Sequence, residues 1–134
     1  MTLVELLFVA IILGALAALA IPKYIGVTVK ARVVEATTVL ASFDKAQLSY
    51  VHETGAIGTC DDLFLESPCV PGYSRHFTYA ESRDPGVASS LEATGRRSAG
   101  ELEGDKIWTK VDVSLLVIHD HDAEFTRFAP NWKN

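Results

Sequence analysis

Charged side chains are almost absent from the first 22 residues of this chain, where Glu5 is the single one. Residues 6–21 carry no polar side chain at all, which excludes an ordinary amphipathic surface helix. Counted from Met1, a helix that ends at Ile21 rises about 31 Å at roughly 1.5 Å per residue. The hydrocarbon core of a bilayer is about as thick, roughly 30 Å. The sequence therefore predicts a hydrophobic helix over residues 1–22 that spans a membrane or occupies an equally apolar core.

The residue patterns of common enzymes are also missing. No Gly-x-Ser-x-Gly occurs and no glycine-rich phosphate loop follows a predicted strand, so neither nucleophilic catalysis nor nucleotide binding is indicated. The net charge of −5 lies wholly in residues 55–134, where 13 acids face 8 bases. An acidic domain whose one basic doublet is Arg96-Arg97 does not suit nucleic acid as a main partner. We therefore expect neither an enzyme nor a protein with a cofactor.

Cysteine is scarce, with only Cys60 and Cys69 in the chain. Two isolated cysteines are too few for a structural zinc site. Their spacing, in a domain that we expect to be exported, favours a disulfide that closes a short loop. Such a loop is worth about 2–3 kcal/mol, which matters for a small head domain.

The carboxylate of Glu5 is costly in an apolar helix, at about 2.5–3.5 kcal/mol on insertion scales. The first basic side chain of the sequence is Lys23, which is out of reach. The nearest candidate cation is an α-amino group, either that of Met1 in the same chain or that of a neighbouring copy. Glu5 therefore indicates assembly.

The helical pattern continues beyond Pro22, with apolar residues at steps of three and four. This mostly apolar stripe, which Gln47 interrupts, comprises Val29, Val33, Ala36, Leu40, Phe43, Gln47 and Tyr50. The opposite face is predicted to carry Lys30, Thr37, Asp44 and Glu53. Gly55 supplies a stop signal. We predict one helix to about Thr54, whose second half, residues 23–54, is amphipathic and packs on the remaining domain.

Gly14 and Pro22 are the two weak points of this helix. Pro22 lacks a backbone donor and clashes with the carbonyl four residues earlier, so a kink or local melting near residues 18–22 is expected. Gly14 lowers helix propensity by about 1 kcal/mol relative to Ala. Close helix packing through small residues is the alternative role of Gly14, and the sequence leaves both roles open.

Residues 55–134 are predicted to form a globular head. Residues 55–75 are rich in Gly, Pro, Asp and Ser and indicate a loop, with one helical turn at 61–65. Strands are predicted at residues 76–80, 89–94, 106–112 and 114–119, with an edge strand at 125–128. The apolar run at 114–119 is predicted to be the central strand. The expected fold class is α+β, a long N-terminal helix packed against a small antiparallel sheet.

The sequence His119-Asp120-His121-Asp122 is the sharpest candidate metal site. On a strand the two histidines share one face and the two aspartates share the other. With Asp112 and Glu124, the aspartates could supply oxygens to calcium. Because the pattern fixes no third ligand, a charged turn that ends the strand is the favoured interpretation. Four further residues are interpreted as surface or packing residues: His52, His76, Trp108 and Trp132.

The first 30 residues resemble the N-terminus of a mature type IV pilin. The resemblance rests on a hydrophobic first residue, Thr2, Leu3, Glu5, an apolar run that contains Gly14, and Ala-Ile-Pro closing at Pro22. Pseudopilins of type II secretion systems share this signature. The remaining hundred residues carry no motif of similar specificity.

The resemblance implies a filament subunit. A basic leader ending in Gly would be removed by a prepilin peptidase, and the amine of Met1 would be N-methylated. The subunit would wait in the inner membrane and then join a helical homopolymer on the cell surface, a pilus that serves adhesion or motility. Glu5 would pair with the amine of Met1 in a neighbour, and the stretch from Gly14 to Pro22 would lose helix on packing. An assembly ATPase and a platform protein are the other implied partners.

Three alternatives remain open. A pseudopilin would build a periplasmic secretion piston, and bound calcium at residues 112–124 would favour it. A membrane-tethered binding module would use residues 1–21 only as an anchor, which leaves Glu5 unexplained. A secretory signal peptide needs a basic start and a small-residue cleavage site, and Glu5 fits neither.

Overall fold

The computed structural model describes residues 2–64 and 66–133, with the backbone alone at positions 22 and 23. Helix α1 covers Leu3–Thr54, a single helix of 52 residues. Thr2 caps its first turn, and Gly55 ends it in the left-handed conformation at φ 71°, donating its N–H to the Val51 carbonyl. The predicted end of the long helix and its glycine stop are confirmed.

The two halves of α1 differ in what surrounds them. Every described side chain from residue 2 to residue 21 is exposed. From Val29 onward one stripe is buried against the head: Val29, Val33, Ala36, Leu40, Phe43 and Gln47 are at most 2% exposed, and Tyr50 is half-buried. Full burial of a side chain such as Phe43 or Leu40 contributes about 1.5–3 kcal/mol, so this stripe fixes the head to the helix.

The head begins with a short helix and continues as an antiparallel sheet. Helix α2 covers Cys60–Leu63, where a helical turn was predicted. The strands are β1 Phe77–Asp84, β2 Ala88–Gly95, β3 Lys106–Asp112 and β4 Val117–His121. Two 3-10 helices, Arg97–Leu102 and Ala123–Arg127, follow β2 and β4. The α+β class is confirmed.

The sheet is a meander in the order β1-β2-β3-β4, with every neighbour antiparallel. Ile107, Thr109 and Val111 of β3 all point to the buried face, as their alternation predicts. They meet the α1 stripe, and Leu91 and Ala93 of β2 complete the same layer. The core therefore lies between one face of the sheet and the second half of α1.

Two predictions for the end of the chain are wrong. The apolar run at residues 114–119 is not the central strand, because β4 starts only at Val117 and forms an edge of the sheet. Leu115 and Leu116 lie in the exposed β3–β4 turn instead. Residues 125–128 form no edge strand, since they belong to or follow a 3-10 helix that buries Phe125 under the core.

The disulfide between Cys60 and Cys69 is present. It ties the start of α2 to the loop before β1, with the two Cα atoms 6.4 Å apart. Glu81 of β1 accepts a hydrogen bond from the Cys60 backbone N–H at 3.0 Å. The loop after α1 is thereby attached to the sheet.

Candidate functional site

The N-terminal half of α1 forms a long exposed apolar surface. Leu3, Phe8, Leu13 and Leu19 are 82%, 62%, 60% and 77% exposed. Within the described residues, α1 is the one helix long and apolar enough to cross a membrane, by length and composition. Apolar patches of this size mark contact with lipid or protein. The described part of the head does not cover this apolar surface, which is left open to lipid or to other protein molecules.

Glu5 is part of a capping box at the start of α1. The Thr2 backbone N–H donates to Glu5 Oε2 at 2.6 Å, and the Glu5 N–H donates to Thr2 Oγ1 at 3.3 Å. A carboxylate in the first turn also interacts favourably with the helix dipole. Sequence analysis missed this local role, although Thr-x-x-Glu before an apolar run is its recognised signature. Glu5 thus has a partner in its own chain and still has free acceptor capacity for a second one.

The remaining N-terminal candidates stand as follows. Met1, with its predicted methylation and its amine, lies outside the described residues. α1 is helical through residues 18–22, so the isolated chain shows no local melting there. Nothing lies within 4 Å of a Cβ built at Gly14. Loss of helix between Gly14 and Pro22 concerns the assembled state and stays a prediction.

A buried polar cluster joins α1 to β3 and β4. Asp44 is only 7% exposed, so its predicted place on the solvated face is wrong. Its Oδ1 accepts a hydrogen bond from the Thr109 hydroxyl, and its Oδ2 lies 2.8 Å from His119 Nε2. The His119 ring stacks on Trp132 with centroids 4.3 Å apart. These contacts join the helix, the sheet and the C-terminal segment, which is a structural role.

The candidate metal residues are separated by the fold. Asp112 ends β3, whereas Asp120 is paired with Trp108 in the sheet register. Four residues of a strand separate these positions, roughly 13 Å at 3.3 Å per residue. His119 and Asp120 lie on opposite faces of β4. Among the described residues, the five candidates form no group whose ligand atoms lie within 4.8 Å of one another.

Each candidate aspartate has a partner within the chain instead. Asp120 lies 2.9 Å from Lys133 Nζ, and this hydrogen bond, with that from the His121 N–H, holds the Asp120 pKa below its usual value. Asp112 accepts from the Ser114 backbone N–H at 2.7 Å, which lowers its pKa in the same way. Asp122 Oδ2 accepts from the Lys106 backbone N–H at 2.9 Å. These contacts are those of charged residues at the end of a strand, and each occupies an oxygen of one of the three aspartates.

One other trio of potential ligands lies close together: Cys60, Cys69 and Glu81. Both sulfur atoms are bonded to each other in the disulfide. Thiolates, not disulfides, bind metals, so the trio offers one ligand only.

Comparison of the sequence with models of known protein families gives no match, and no curated protein matches it either. The architecture is nevertheless compatible with a pilin fold, since it has a long apolar N-terminal helix, a small antiparallel sheet and a disulfide. The function must therefore be argued from the helix and its first turn.

Proposed function

We propose that this chain is a type IV pilin, a structural subunit that polymerises through α1 into a surface filament. The observation that carries the proposal is the exposure of every described side chain from residue 2 to residue 21, on a helix whose second half is packed on its own head. The apolar half of such a helix needs an apolar environment before assembly and another apolar environment in the assembled filament. A bilayer and a core of identical helices supply the two.

Glu5 gives this assembly its register. Its carboxylate pairs with the amine of Met1 in a neighbouring copy, in addition to the bond from Thr2. An isolated buried ion pair adds little net stability. A subunit in the wrong position leaves one charge unpaired, which costs about 3–5 kcal/mol. The pair therefore selects the correct neighbour more than it strengthens the filament.

The remainder of the life cycle follows from the family resemblance at residues 1–30. A prepilin peptidase removes a leader and so exposes the amine of Met1. The inner membrane holds the subunit, and an assembly ATPase with a platform protein drives polymerisation. Asp112 and Asp120 lie too far apart along the sheet to share one ion, so this pair gives the calcium-binding pseudopilin alternative no support. Adhesion or motility belongs to the assembled pilus.

The direct test is electron microscopy of material sheared from the producing cells, with mass spectrometry of the subunit. Long filaments made of this chain, with a methylated Met1, are the expected result. A chain found only in envelope fractions would refute the pilus and support a pseudopilin or a tethered module.

A Glu5→Gln variant isolates the charge from the cap. Gln retains an oxygen acceptor for the Thr2 N–H, so the start of α1 and the circular-dichroism spectrum should not change. Filament yield should fall by about tenfold or more, as a lost pairing of a few kcal/mol implies. Glu53→Gln, an exposed site near the end of the same helix, is the matched control. Normal filaments from Glu5→Gln would exclude the proposed pairing.

A further inference from the structure

The head carries a cleft lined by three arginines, although its net charge is negative. The lining residues are Gly72, Ser74, Arg75, Arg96, Arg97 and Ser98. Arg96 donates through Nη1 to the Ser74 carbonyl, and all three arginines are exposed. Among the described residues, no carboxylate lies within 4.0 Å of Arg75 or Arg96, and Arg97 has only an exposed contact of 3.7 Å with Glu103. The Arg96-Arg97 doublet is visible in the sequence, whereas Arg75, 21 residues before Arg96, joins it only through the fold.

Two glycines position the 3-10 helix that carries Arg97, one against β2 and one beside Arg32 of α1. A Cβ on Gly95 would lie 1.7 Å from the Leu102 carbonyl oxygen, so only glycine lets the 3-10 helix Arg97–Leu102 fold back on β2. A Cβ on Gly100, at φ 75°, would lie 3.1 Å from Arg32 Nη1. Arg32 is eleven residues beyond Ile21, about 16 Å along the helix.

Three carboxylates lie at this same end of the sheet, on the side of β3 and β4. Asp105 directly precedes β3, Asp122 directly follows β4, and Glu124 lies in the first turn of the 3-10 helix Ala123–Arg127. Burial, followed by the charges of Asp122 and Glu124, raises the pKa of Asp105. Asp122 Oδ2 accepts a hydrogen bond from the N–H of Lys106, the residue after Asp105, at 2.9 Å, so these acids share one end of the sheet. Their like charges repel one another, and a cationic group of another molecule would relieve that repulsion.

We propose that the arginine cleft of one copy binds the Asp105, Asp122 and Glu124 carboxylates of a second copy. The inference rests on the proposed function, because side-by-side copies with parallel helices place the two clusters at comparable heights above the apolar half. It adds a second, polar contact between heads to the contact between helices.

Charge and concentration favour a second copy as the occupant. The acidic head repels polyanions, and three arginines are a small footprint for nucleic acid. Copies whose helices share one membrane or one filament core meet at a high effective concentration. Exposed ion pairs are individually weak, so this contact sets the rotation of the heads while the helices supply the affinity.

A crosslink tests the contact directly. Arg75→Lys keeps the charge and adds an amine that a carbodiimide can join to a carboxylate in direct contact. Full-length chain, mixed from isotopically light and heavy batches, is treated in proteoliposomes. We expect heavy–light crosslinks between position 75 and Asp105, Asp122 or Glu124. The intrachain pair Lys106–Glu92, at 3.0 Å, is the internal positive control. Finding that control pair without any interchain crosslink would overturn the proposal.

Charge exchange tests its role in assembly. Arg75→Glu with Arg97→Glu, and separately Asp105→Lys with Glu124→Lys, should each lower filament yield by about tenfold, because like charges then face each other. The four substitutions together should restore most of the yield. Arg83→Glu with Lys110→Glu, exposed sites without an ion pair in the described residues, is the matched control. Circular dichroism of each variant confirms folding.

The outcomes separate this inference from the pilus itself. Wild-type cells without filaments would refute the pilus. The crosslink in proteoliposomes does not require filaments, so it tests the contact between heads separately. Wild-type filaments with no effect of either charge reversal would refute the head contact alone. Loss of binding to a DNA fragment in Arg75→Glu/Arg97→Glu, with normal filaments, would assign the cleft to a polyanion and also refute the contact.

Discussion

Single residues in this protein show how far local rules reach. The Thr2–Glu5 capping box could be predicted from four letters of sequence, because both hydrogen bonds lie within one helical turn. Asp44 could not be placed in the same way. It follows the buried Leu40 by four residues and so lies at the edge of the stripe, but its partner His119 is 75 residues away. Only the tertiary fold decides that an aspartate at that edge is buried.

Asp44→Ala should destabilise the head by about 2–3 kcal/mol, because it leaves the Thr109 hydroxyl and the His119 ring without their shared acceptor. Asp44→Asn, which keeps an oxygen for Thr109, should lose less. Denaturant unfolding of the full chain in detergent, followed by tryptophan fluorescence, measures both. The exposed Asp61→Ala is the control. Equal stability of Asp44→Ala and the wild type would show that the cluster does not hold the head to the helix.

At the scale of elements, patterns with a strong period were reliable and those without one were not. The stripe of α1 and the alternation of β3 were confirmed because each repeats over several turns or residue pairs. The run at residues 114–119 has no such period, and its apolar character suggested a buried centre. In a meander the last strand lies at an edge, so chain order rather than hydrophobicity decides the position of β4. The disulfide was predicted from the spacing of the two cysteines and the expected export of the head, and it is confirmed.

Gly14→Ala and Gly26→Ala form a matched pair within α1. Neither glycine has an atom within 4 Å of a built Cβ, so each substitution should stabilise the isolated helix by about 1 kcal/mol. If the stretch from Gly14 to Pro22 loses helix in the filament, only Gly14→Ala should reduce filament yield. Helix melting by circular dichroism and filament counts by electron microscopy measure the two effects. A wild-type filament with unbroken helical hydrogen bonds over residues 13–23 would contradict the idea.

The whole molecule divides into an exposed apolar half of α1 and an acidic head whose core is completed by the second half of α1. The division was predictable because hydrophobicity and charge change sharply along the sequence. The distribution of charge over the head was not predictable, since the arginine cleft and the acidic trio each combine residues from separate loops. The head also contains carboxyl groups whose pKa values are shifted in opposite directions, Asp105 upward and Asp120 downward, so its stability depends on pH through both.

Asp105→Asn and Asp120→Asn should have opposite effects on stability at neutral pH. The Asp105 pKa is raised by burial and neighbouring acids, so its contribution favours folding below the ordinary value of 3.8 and is lost as pH rises through the folded pKa. Asp105→Asn should therefore stabilise the head at neutral pH. The Asp120 pKa is lowered, chiefly by Lys133, so its contribution is present above 3.8 and is lost as pH falls. Asp120→Asn should destabilise the head at neutral pH.

Thermal unfolding of both variants at neutral pH and well below pH 3.8 measures these effects. Each difference from the wild type should shrink at the acid end, where the wild-type carboxyls are protonated. Differences of the same sign at neutral pH would contradict the assigned environments.

The attachment of the head along the side of α1 has a mechanical consequence. The helix is one rod of 52 residues, about 78 Å long at 1.5 Å per residue. The head is held to it from Val29 to Gln47 rather than at the tip. A pulling force on the apolar end therefore loads these contacts in shear, where they must break together, rather than in peeling, where they would break in turn.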